Sequence, residues 1–365
     1  VEKRRYSRPV QVGPVTVGGL APVSVQSMTN TDTRDVKATE RQIAALAAAG
    51  CEIVRVAVPD QEAAAALGEL CRKAPVPLVA DIHFDYRLAL AALKAGVAGL
   101  RLNPGNIGGP ERVRAVAQAA RERGVPIRIG VNAGSLEKSL RERYGGVTPE
   151  GMVESALRQA ALLEEEGQQA IILSLKASDV PLTMAAYKLA AERCTYPLHL
   201  GITEAGTPWR GTIRSAVGLG ALLAEGIGDT IRVSLTGDPV EEVRVGYEIL
   251  KALNLREHGP VLISCPTCGR CRIDLVRLAE EVERAVAGLA LPLKIAVMGC
   301  AVNGPGEAAE ADFGIAGGRG AGLIFRRGEI VRKVPEAELV PALLAEIEAA
   351  YPGALQERRN SGAAG

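Results

Sequence analysis

Eight times between residues 23 and 254 a short apolar run gives way to a polar or glycine-rich turn and then to an alanine- and leucine-rich stretch of helical period. The apolar runs lie at 23–28, 53–58, 77–82, 99–104, 126–131, 170–175, 197–202 and 230–235. The helical stretches lie near 37–49, 60–73, 85–95, 110–123, 149–166, 180–193, 212–225 and 239–253. Strand–helix alternation of this kind predicts a parallel sheet, and eight units predict an α/β chain closed into a (β/α)8 TIM-type barrel. A doubly wound open sheet is the alternative. It usually has fewer units and opens on a Gly-x-Gly-x-x-Gly turn, which does not follow the first run here.

Side chains alternate between the two faces of a strand, so each run divides into an apolar and a polar set. Val54, Val56 and Val58 oppose Ile53, Arg55 and Ala57; Leu100 and Leu102 oppose Arg101 and Asn103. Ile127, Ile129 and Val131 oppose Arg128, Gly130 and Asn132, while Ile231, Val233 and Leu235 oppose Arg232, Ser234 and Thr236. Asp81 and His83, Ser174 and Lys176, and His199 and Thr203 fall on the same polar side. Helices cover the outside of such a barrel, so the apolar set must face outward and the polar set must line the lumen. Four arginines and a lysine in one interior demand an anion or paired carboxylates, because buried charge without a partner is costly. Arginine suits a phosphate-rich ligand, since its planar fork binds two oxygens at once. An internal salt-bridge network using Asp81 and Glu204 is the plain alternative.

Active sites of such barrels gather at the carboxyl ends of the strands. The turns there include Thr29-Asn30, His83-Phe84-Asp85, Pro104-Gly105-Asn106, Ala133-Gly134-Ser135, Lys176-Ala177-Ser178-Asp179 and Thr203-Glu204-Ala205-Gly206. Glycine lets backbone N–H groups approach an anion, and Asn or Ser adds donors. Asp85, Ser135 and Asp179 also read as turn or helix-cap residues. Glu204 is the leading general acid/base candidate, with pairing to a luminal arginine as its other reading.

Composition narrows the class. Lys+Arg 43 against Asp+Glu 42 gives no bulk bias toward nucleic acid or an anionic membrane, and aromatic residues are only 3%, too few for a base-stacking platform. No apolar run approaches a membrane span, and no signal-peptide core follows the polar start, so a cytoplasmic setting with reduced thiols is expected. The repeat breaks at Arg256-Glu257-His258-Gly259-Pro260, which gives a substrate-binding barrel over 1–256, a small α+β domain over 257–355 and a disordered tail over 356–365. His258 reads as an exposed linker residue. The smaller domain is expected to hold strands at 261–264 and 293–298, a helix near 274–287, a flexible turn over 314–320, a hairpin of 322–325 with 330–334, and a last helix near 336–350.

That domain carries four of the seven cysteines. They lie in Ser264-Cys265-Pro266-Thr267-Cys268-Gly269-Arg270-Cys271 and in Gly299-Cys300-Ala301-Val302-Asn303-Gly304-Pro305-Gly306-Glu307. Thiolates are soft ligands for zinc, copper(I) or iron–sulfur clusters, and a Cys-x-x-Cys turn lets two sulfurs reach one centre. A zinc ribbon would supply a second Cys-x-x-Cys pair or histidines, and a ferredoxin run would supply a following Cys-Pro. Four thiols, or three thiols with an oxygen ligand or an open position, all remain compatible with the spacing. Cys51, Cys71 and Cys194 are scattered among apolar helical residues and read as packing.

The two cysteine stretches resemble the cluster motifs of bacterial 4-hydroxy-3-methylbut-2-enyl diphosphate synthases. So do Val25-Gln26-Ser27-Met28-Thr29-Asn30, Val79-Ala80-Asp81-Ile82-His83-Phe84-Asp85, Arg101-Leu102-Asn103-Pro104-Gly105-Asn106, Gly130-Val131-Asn132-Ala133-Gly134-Ser135 and Gly201-Ile202-Thr203-Glu204-Ala205-Gly206. The resemblance runs nearly end to end and lacks the extra middle domain of the plant form. It implies reductive opening and dehydration of 2-C-methyl-D-erythritol 2,4-cyclodiphosphate in isoprenoid synthesis, with flavodoxin or ferredoxin as electron donor. It also implies one [4Fe–4S] cluster per chain on Cys265, Cys268, Cys300 and Glu307, and a homodimer in which the cluster domain of one chain closes over the other's barrel. The substrate-binding set expected from the lumen face and the strand-end turns is Arg55, Asp81, His83, Arg101, Asn103, Arg128, Asn132, Ser135, Lys176, His199, Arg232 and Ser234, with Glu204 from the same reading and Glu307 from the resemblance as catalytic residues. The chain departs from the family pattern at Cys271, so that Glu307 and Cys271 compete as fourth ligand; Cys271 is expected to open the following helix, which favours Glu307. The rival reading is a phosphate-binding lyase or transferase barrel of the pterin-synthase kind with a structural zinc domain. A bare electron carrier would have no use for an arginine-lined lumen.

Overall fold

In a computed structural model, which describes residues 3–103, 106–300 and 310–355, the chain divides into two compact units, Val1–Arg256 and Glu257–Gly365. The first begins with a two-stranded hairpin, β1 (Val10–Val12) and β2 (Val15–Val17). There follow β3 (Ser24–Met28), α1 (Val36–Ala48), β4 (Ile53–Ala57), α2 (Gln61–Lys73), β5 (Leu78–Asp81), α3 (Tyr86–Ala95), β6 (Gly99–Leu102), α4 (Pro110–Glu122) and β7 (Ile127–Asn132). Then come α5 (Lys138–Tyr144), α6 (Pro149–Glu165), β8 (Ile171–Lys176), α7 (Val180–Arg193), β9 (His199–Leu200), α8 (Pro208–Ala224), β10 (Thr230–Ile231) and α9 (Pro239–Ala252).

Eight parallel strands run in the order β8-β7-β6-β5-β4-β3-β10-β9. A parallel bridge between Leu173 and Leu198 closes the ring, and the Leu173 N–H donates to the Pro197 carbonyl at 2.9 Å. The outward apolar set packs under the helices in one continuous core that includes Val54, Val56, Leu100, Leu102, Ile127, Ile129 and Leu173. Helix starts are set by short acidic caps at the mouth of the barrel. The side chains of Asp35, Asp60, Asp85, Asp179 and Asp238 each accept from a first-turn N–H of α1, α2, α3, α7 and α9. Each such cap is worth about 1 kcal/mol. Asp85 and Asp179 are thereby accounted for as structure.

The last two barrel strands are shorter than the runs 197–202 and 230–235 suggest. Arg232 N–H still reaches the Leu200 carbonyl at 3.0 Å, but Thr236 N–H turns to Gly206 and Leu235 N–H turns to the Glu242 carboxylate at 3.1 Å. Helix α8 starts at Pro208 rather than 212, because a proline at the first helical position needs no hydrogen-bond acceptor. The hairpin and α5 have no counterpart in the sequence reading. Val10, Val12 and Val17 of the hairpin pack on the inward-facing Ile53, Val79 and Ile172, so the hairpin floors the barrel with an apolar plug.

Among the described residues of the second unit, β11 (Val261–Ser264), α10 (Leu275–Val286), β12 (Lys294–Met298), β13 (Phe313–Gly317), β14 (Ala321–Arg326), β15 (Glu329–Pro335) and α11 (Leu339–Ala350) form a five-stranded sheet with two helices. β11, β12 and β13 are parallel and β13–β14–β15 antiparallel. Arg327 and Gly328, both at positive φ, make the tight hairpin turn. Of the stretch 314–320, expected as a flexible turn, residues 314–317 instead belong to the central strand β13, and only 318–320 form the turn into β14. The glycines of β13 serve close approach: a Cβ on Gly314 would stand 2.2 Å from the Phe325 ring and 2.6 Å from the Ala296 carbonyl, and one on Gly317 would stand 2.7 Å from the Gly299 carbonyl. Among the described residues, no helix is long and apolar enough to cross a membrane. The tail 356–365 expected to be disordered, the Pro104-Gly105 turn and residues 301–309, which include Glu307, lie outside the described residues.

Overpacking of this kind typically costs about 1–3 kcal/mol. Gly314→Ala should therefore lower the denaturant midpoint of the smaller unit, and an unchanged midpoint in chemical unfolding would contradict the close-approach account.

Candidate active site

The inward side chains of the barrel form one polar interior. Arg128 (5% exposed), Lys176 (7%), Arg101 (7%), Asn103 (7%) and His199 (0%) are buried there, on β7, β8, β6 and its end, and β9. Arg55 on β4 donates from Nε to Met28 Sδ at 3.0 Å and lies 3.7 Å from Asp81 Oδ2. Asp81 also accepts from Arg101 Nη1 at 3.2 Å and faces His83 Nε2 at 3.4 Å. Arg232 is held by Glu242 of α9, with Nε and Nη2 each 3.3 Å from a carboxylate oxygen. Glu242 further accepts from Ser27 Oγ at 2.8 Å. Arg128 Nη1 meets Gln26 Oε1, but its Nε and Nη2 have no partner among the described residues, nor do the two ring nitrogens of His199.

Among the described residues, five cationic side chains share this interior, and two carboxylates, Asp81 and Glu242, pair with them. The internal-network reading is met in part, through Asp81 and Glu242, and leaves three positive charges over. The electrostatics follow. Burial alone would raise the Asp81 pKa, but Arg55, a hydrogen bond from His83 and Arg101 outweigh it and hold the carboxyl well below the usual carboxylate range. Burial, with repulsion from Arg232 and Arg101, brings Arg55 down to about 10 despite the attraction of Asp81. Burial and then the neighbouring arginines push Arg128 and Lys176 far below their ordinary values. Burial, Arg128 and Lys176 do the same to His199, whose ring is thus kept neutral. Such an interior has capacity for an anion.

The rim carries the remaining residues of the expected set. Asn132 and Ser234 are half-buried at or beyond strand ends, His83 is exposed beyond β5, and Ser135 is exposed in a short 3-10 turn, donating to the Asn132 carbonyl at 3.3 Å. Glu204 is exposed beyond β9 with φ +52°, a left-handed conformation that side-chain-bearing residues seldom adopt. No ion pair involves it among the described residues, so the alternative role as partner to a luminal arginine is not the one it fills here.

The second unit gathers sulfur. Cys265, Cys268, Cys271 and Cys300 line one cavity of about 90 Å³ together with Pro266, Arg270 and Gly299. Cys265 directly follows β11 and Cys300 lies two residues past β12, so the thiols sit beyond the carboxyl ends of adjacent parallel strands. Gly299 N–H donates to Cys265 Sγ at 3.3 Å. A backbone hydrogen bond from Arg270 lowers the Cys268 thiol pKa. The expectation that Cys271 opens the helix is corrected: α10 starts at Leu275 because Asp274 caps it, and Cys271 lies in a turn closed by its N–H on the Cys268 carbonyl at 2.9 Å. Among the described residues no three ligating side chains converge on a single-ion position. A four-iron cluster is wider than one ion, so protein sulfurs spread around a cavity fit it, and the all-thiol lining is the soft donor set that such a cluster takes. By contrast burial pushes Cys51 up to about 12 and Cys71 up to about 11, which suits packing roles.

A family model described as the GcpE TIM-barrel domain matches residues 7–247, and one described as the GcpE protein C-terminal domain matches residues 261–349. The chain belongs to the GcpE family. Curated GcpE relatives include a 4-hydroxy-3-methylbut-2-en-1-yl diphosphate synthase (flavodoxin) of Geobacter sulfurreducens, 68% identical over 94% of this chain and 97% of that protein. Proteins of the same name from Ruminiclostridium cellulolyticum and Geobacillus kaustophilus are 59% and 61% identical over 94% of this chain, covering 98% and 92% of theirs. A solved sialic acid synthetase from Leptospira borgpetersenii, 12% identical, covers 77% of the chain and 98% of its own at a TM-score of 0.50, a likeness of fold alone.

Three luminal participants went unread in the sequence. Gln26 and Met28 alternate with Val25 and Ser27 on β3, and the same period-two division would have placed them inward. Glu242 carries no such signal, since a helix residue just after a cap reads as exposed. In fact it is 4% exposed, because it is held among Ser27, the Leu235 N–H and Arg232.

A left-handed backbone on a side-chain-bearing residue costs on the order of 1 kcal/mol. Glu204→Gly should therefore be more stable than Glu204→Ala by roughly that amount in thermal unfolding. Equal melting temperatures would show that the backbone there is unstrained.

Proposed function

We propose that this chain catalyses the reductive opening and dehydration of 2-C-methyl-D-erythritol 2,4-cyclodiphosphate to (E)-4-hydroxy-3-methylbut-2-enyl diphosphate. The observation that carries the proposal is the pairing, in one GcpE chain, of a lumen with surplus positive charge and a cavity lined by four thiols. The reaction takes up two electrons and two protons, breaks the C2–O bond to the diphosphate and releases the C3 hydroxyl as water.

The barrel's part is to hold and polarise the diphosphate. Arg55, Arg101, Arg128, Lys176 and Arg232 would neutralise the leaving group as its C2–O bond breaks, with preorganised charge in a water-poor interior acting more strongly than in bulk. His83, Asn103, Asn132, Ser135, His199 and Ser234 would orient it by hydrogen bonds. Glu204 would give a proton to the departing C3 oxygen. In the smaller unit Cys265, Cys268 and Cys300, with Glu307 as the exchangeable fourth ligand and Cys271 as its alternative, would hold one [4Fe–4S] cluster. When bound, that cluster supplies the two electrons. Flavodoxin or ferredoxin as their source, and a homodimer with a shared site, are part of the proposal and rest on the family resemblance.

Anaerobically purified protein should contain iron and sulfide, turn over the cyclodiphosphate with a reduced flavodoxin, and change its visible spectrum when the substrate is added. Zinc without iron would overturn the proposal in favour of a phosphate-binding barrel with a structural metal. Glu204→Gln should keep the spectrum and lose turnover.

The pH dependence has a definite sign. In the free lumen Lys176 lies well below the lysine value of 10.5 because of burial and its arginine neighbours. A bound dianion offsets that repulsion and raises it again, so the complex holds more protons than the free protein. Each phosphorus of the cyclic substrate carries a single, strongly acidic oxygen, so the ligand itself releases none. Binding should take up protons, and affinity should fall as pH rises toward the ordinary lysine range. Calorimetry in buffers of different ionisation enthalpy reads the uptake directly.

A further inference from the structure

Two inward-facing positions of the barrel are glycine where neighbouring positions carry polar or charged side chains. Gly130 lies between Arg128 and Asn132 on β7, and Gly201 directly follows β9, two residues after His199. Neither has a positive φ, so backbone conformation does not call for glycine at either place. Space does. A Cβ on Gly130 would stand 2.5 Å from Arg101 Nε, 2.6 Å from Nη2 and 2.8 Å from Cζ. A Cβ on Gly201 would stand 2.5 Å from Lys176 Nζ, 2.9 Å from its Cε and 2.9 Å from the Arg232 carbonyl oxygen. In both cases the glycine belongs to the next strand round the barrel, and the long cation of the preceding strand lies across its bare Cα.

We propose that Gly130 and Gly201 are positioning residues for anion binding, setting how deep the Arg101 guanidinium and the Lys176 ammonium lie in the lumen. This deepens the reading of the lumen as a diphosphate site and rests on it. Long side chains ordinarily swing away from an added methyl. Arg101 cannot do so without loss, because its Nη1 is held by Asp81 at 3.2 Å and the same carboxylate also faces Arg55 and His83. A methyl on Gly130 must therefore lift the guanidinium or break that pair. Lifting moves the positive charge on the order of 1 Å, and a misplacement of that size can cost about 100-fold in rate. At Gly201 the obstruction includes a backbone oxygen, which yields less than a side-chain tip. The two glycines thus leave the phosphoryl oxygens to be met by cations lying flat against the wall.

The test is a double-mutant cycle on the full chain with Gly130→Ala, Arg101→Lys and their combination, and Gly220→Ala as control, since nothing lies within 4 Å of a Cβ on Gly220. Inorganic pyrophosphate serves as the binding probe by calorimetry, and kcat and KM for the cyclodiphosphate are measured on the iron-loaded enzyme. Gly130→Ala should weaken pyrophosphate binding at least tenfold and raise KM, with the cluster spectrum unchanged; Gly220→Ala should change neither. In the Arg101→Lys background the same alanine should weaken binding less than threefold, because the slimmer ammonium clears the methyl. An equal loss in both backgrounds, or wild-type affinity in Gly130→Ala, overturns the inference while leaving the diphosphate site standing. If the unmodified chain fails to bind pyrophosphate, the diphosphate reading falls and this inference with it. Should Gly130→Ala fail to fold, a folded double variant supports the clash with Arg101, and failure of both overturns it.

Discussion

Like charge confined in a dry space is the constraint on which this molecule turns. Two unit charges 4 Å apart interact by about 4 kcal/mol at the effective dielectric of a protein near its surface. Several such repulsions would rival the whole stability of a domain, about 5–15 kcal/mol. Asp81 and Glu242 absorb part of the strain by clamping Arg55, Arg101 and Arg232. Among the described residues Arg128 and Lys176 have no carboxylate partner, and burial, with the neighbouring arginines, makes both hold their protons less tightly. On the proposed reading an anion would offset that repulsion, so part of its binding energy would come from the way the fold gathers these charges.

That arrangement was largely legible in the sequence, because the period-two alternation of Arg55, Arg101, Arg128 and Arg232 with branched apolar residues admits one orientation in a barrel sheathed by helices. The same logic reaches Gln26 and Met28 once applied to β3. It stops at Glu242, which meets the luminal Arg232 from a helix by length and burial rather than by pattern. The hairpin of Val10–Val17 escaped because two three-residue strands carry too few alternations to register, yet their valines complete an apolar layer with Ile53, Val79 and Ile172.

The glycine-rich stretch of the smaller unit shows why composition can mislead. Gly314 and Gly317 suggest freedom, but both belong to the central strand of a sheet, and the missing side chains make room for Phe325 and for the Gly299 carbonyl. Close approach and mobility leave the same mark in a single sequence. Only the neighbours distinguish them. The cysteine positions were easier, since sulfur spacing has few other uses, and what the structure adds is that Cys271 stands with the other three thiols instead of in the helix.

The apolar plug beneath the lumen has a further consequence for traffic. Apolar side chains at the base leave the rim as the polar way in, so under the proposed function whatever ion or water occupies the cationic interior would depart by the route through which the diphosphate arrives. Entry would then be an exchange, not an addition, and on the same proposal the product would leave past the rim residues, Glu204 among them, that admitted its precursor.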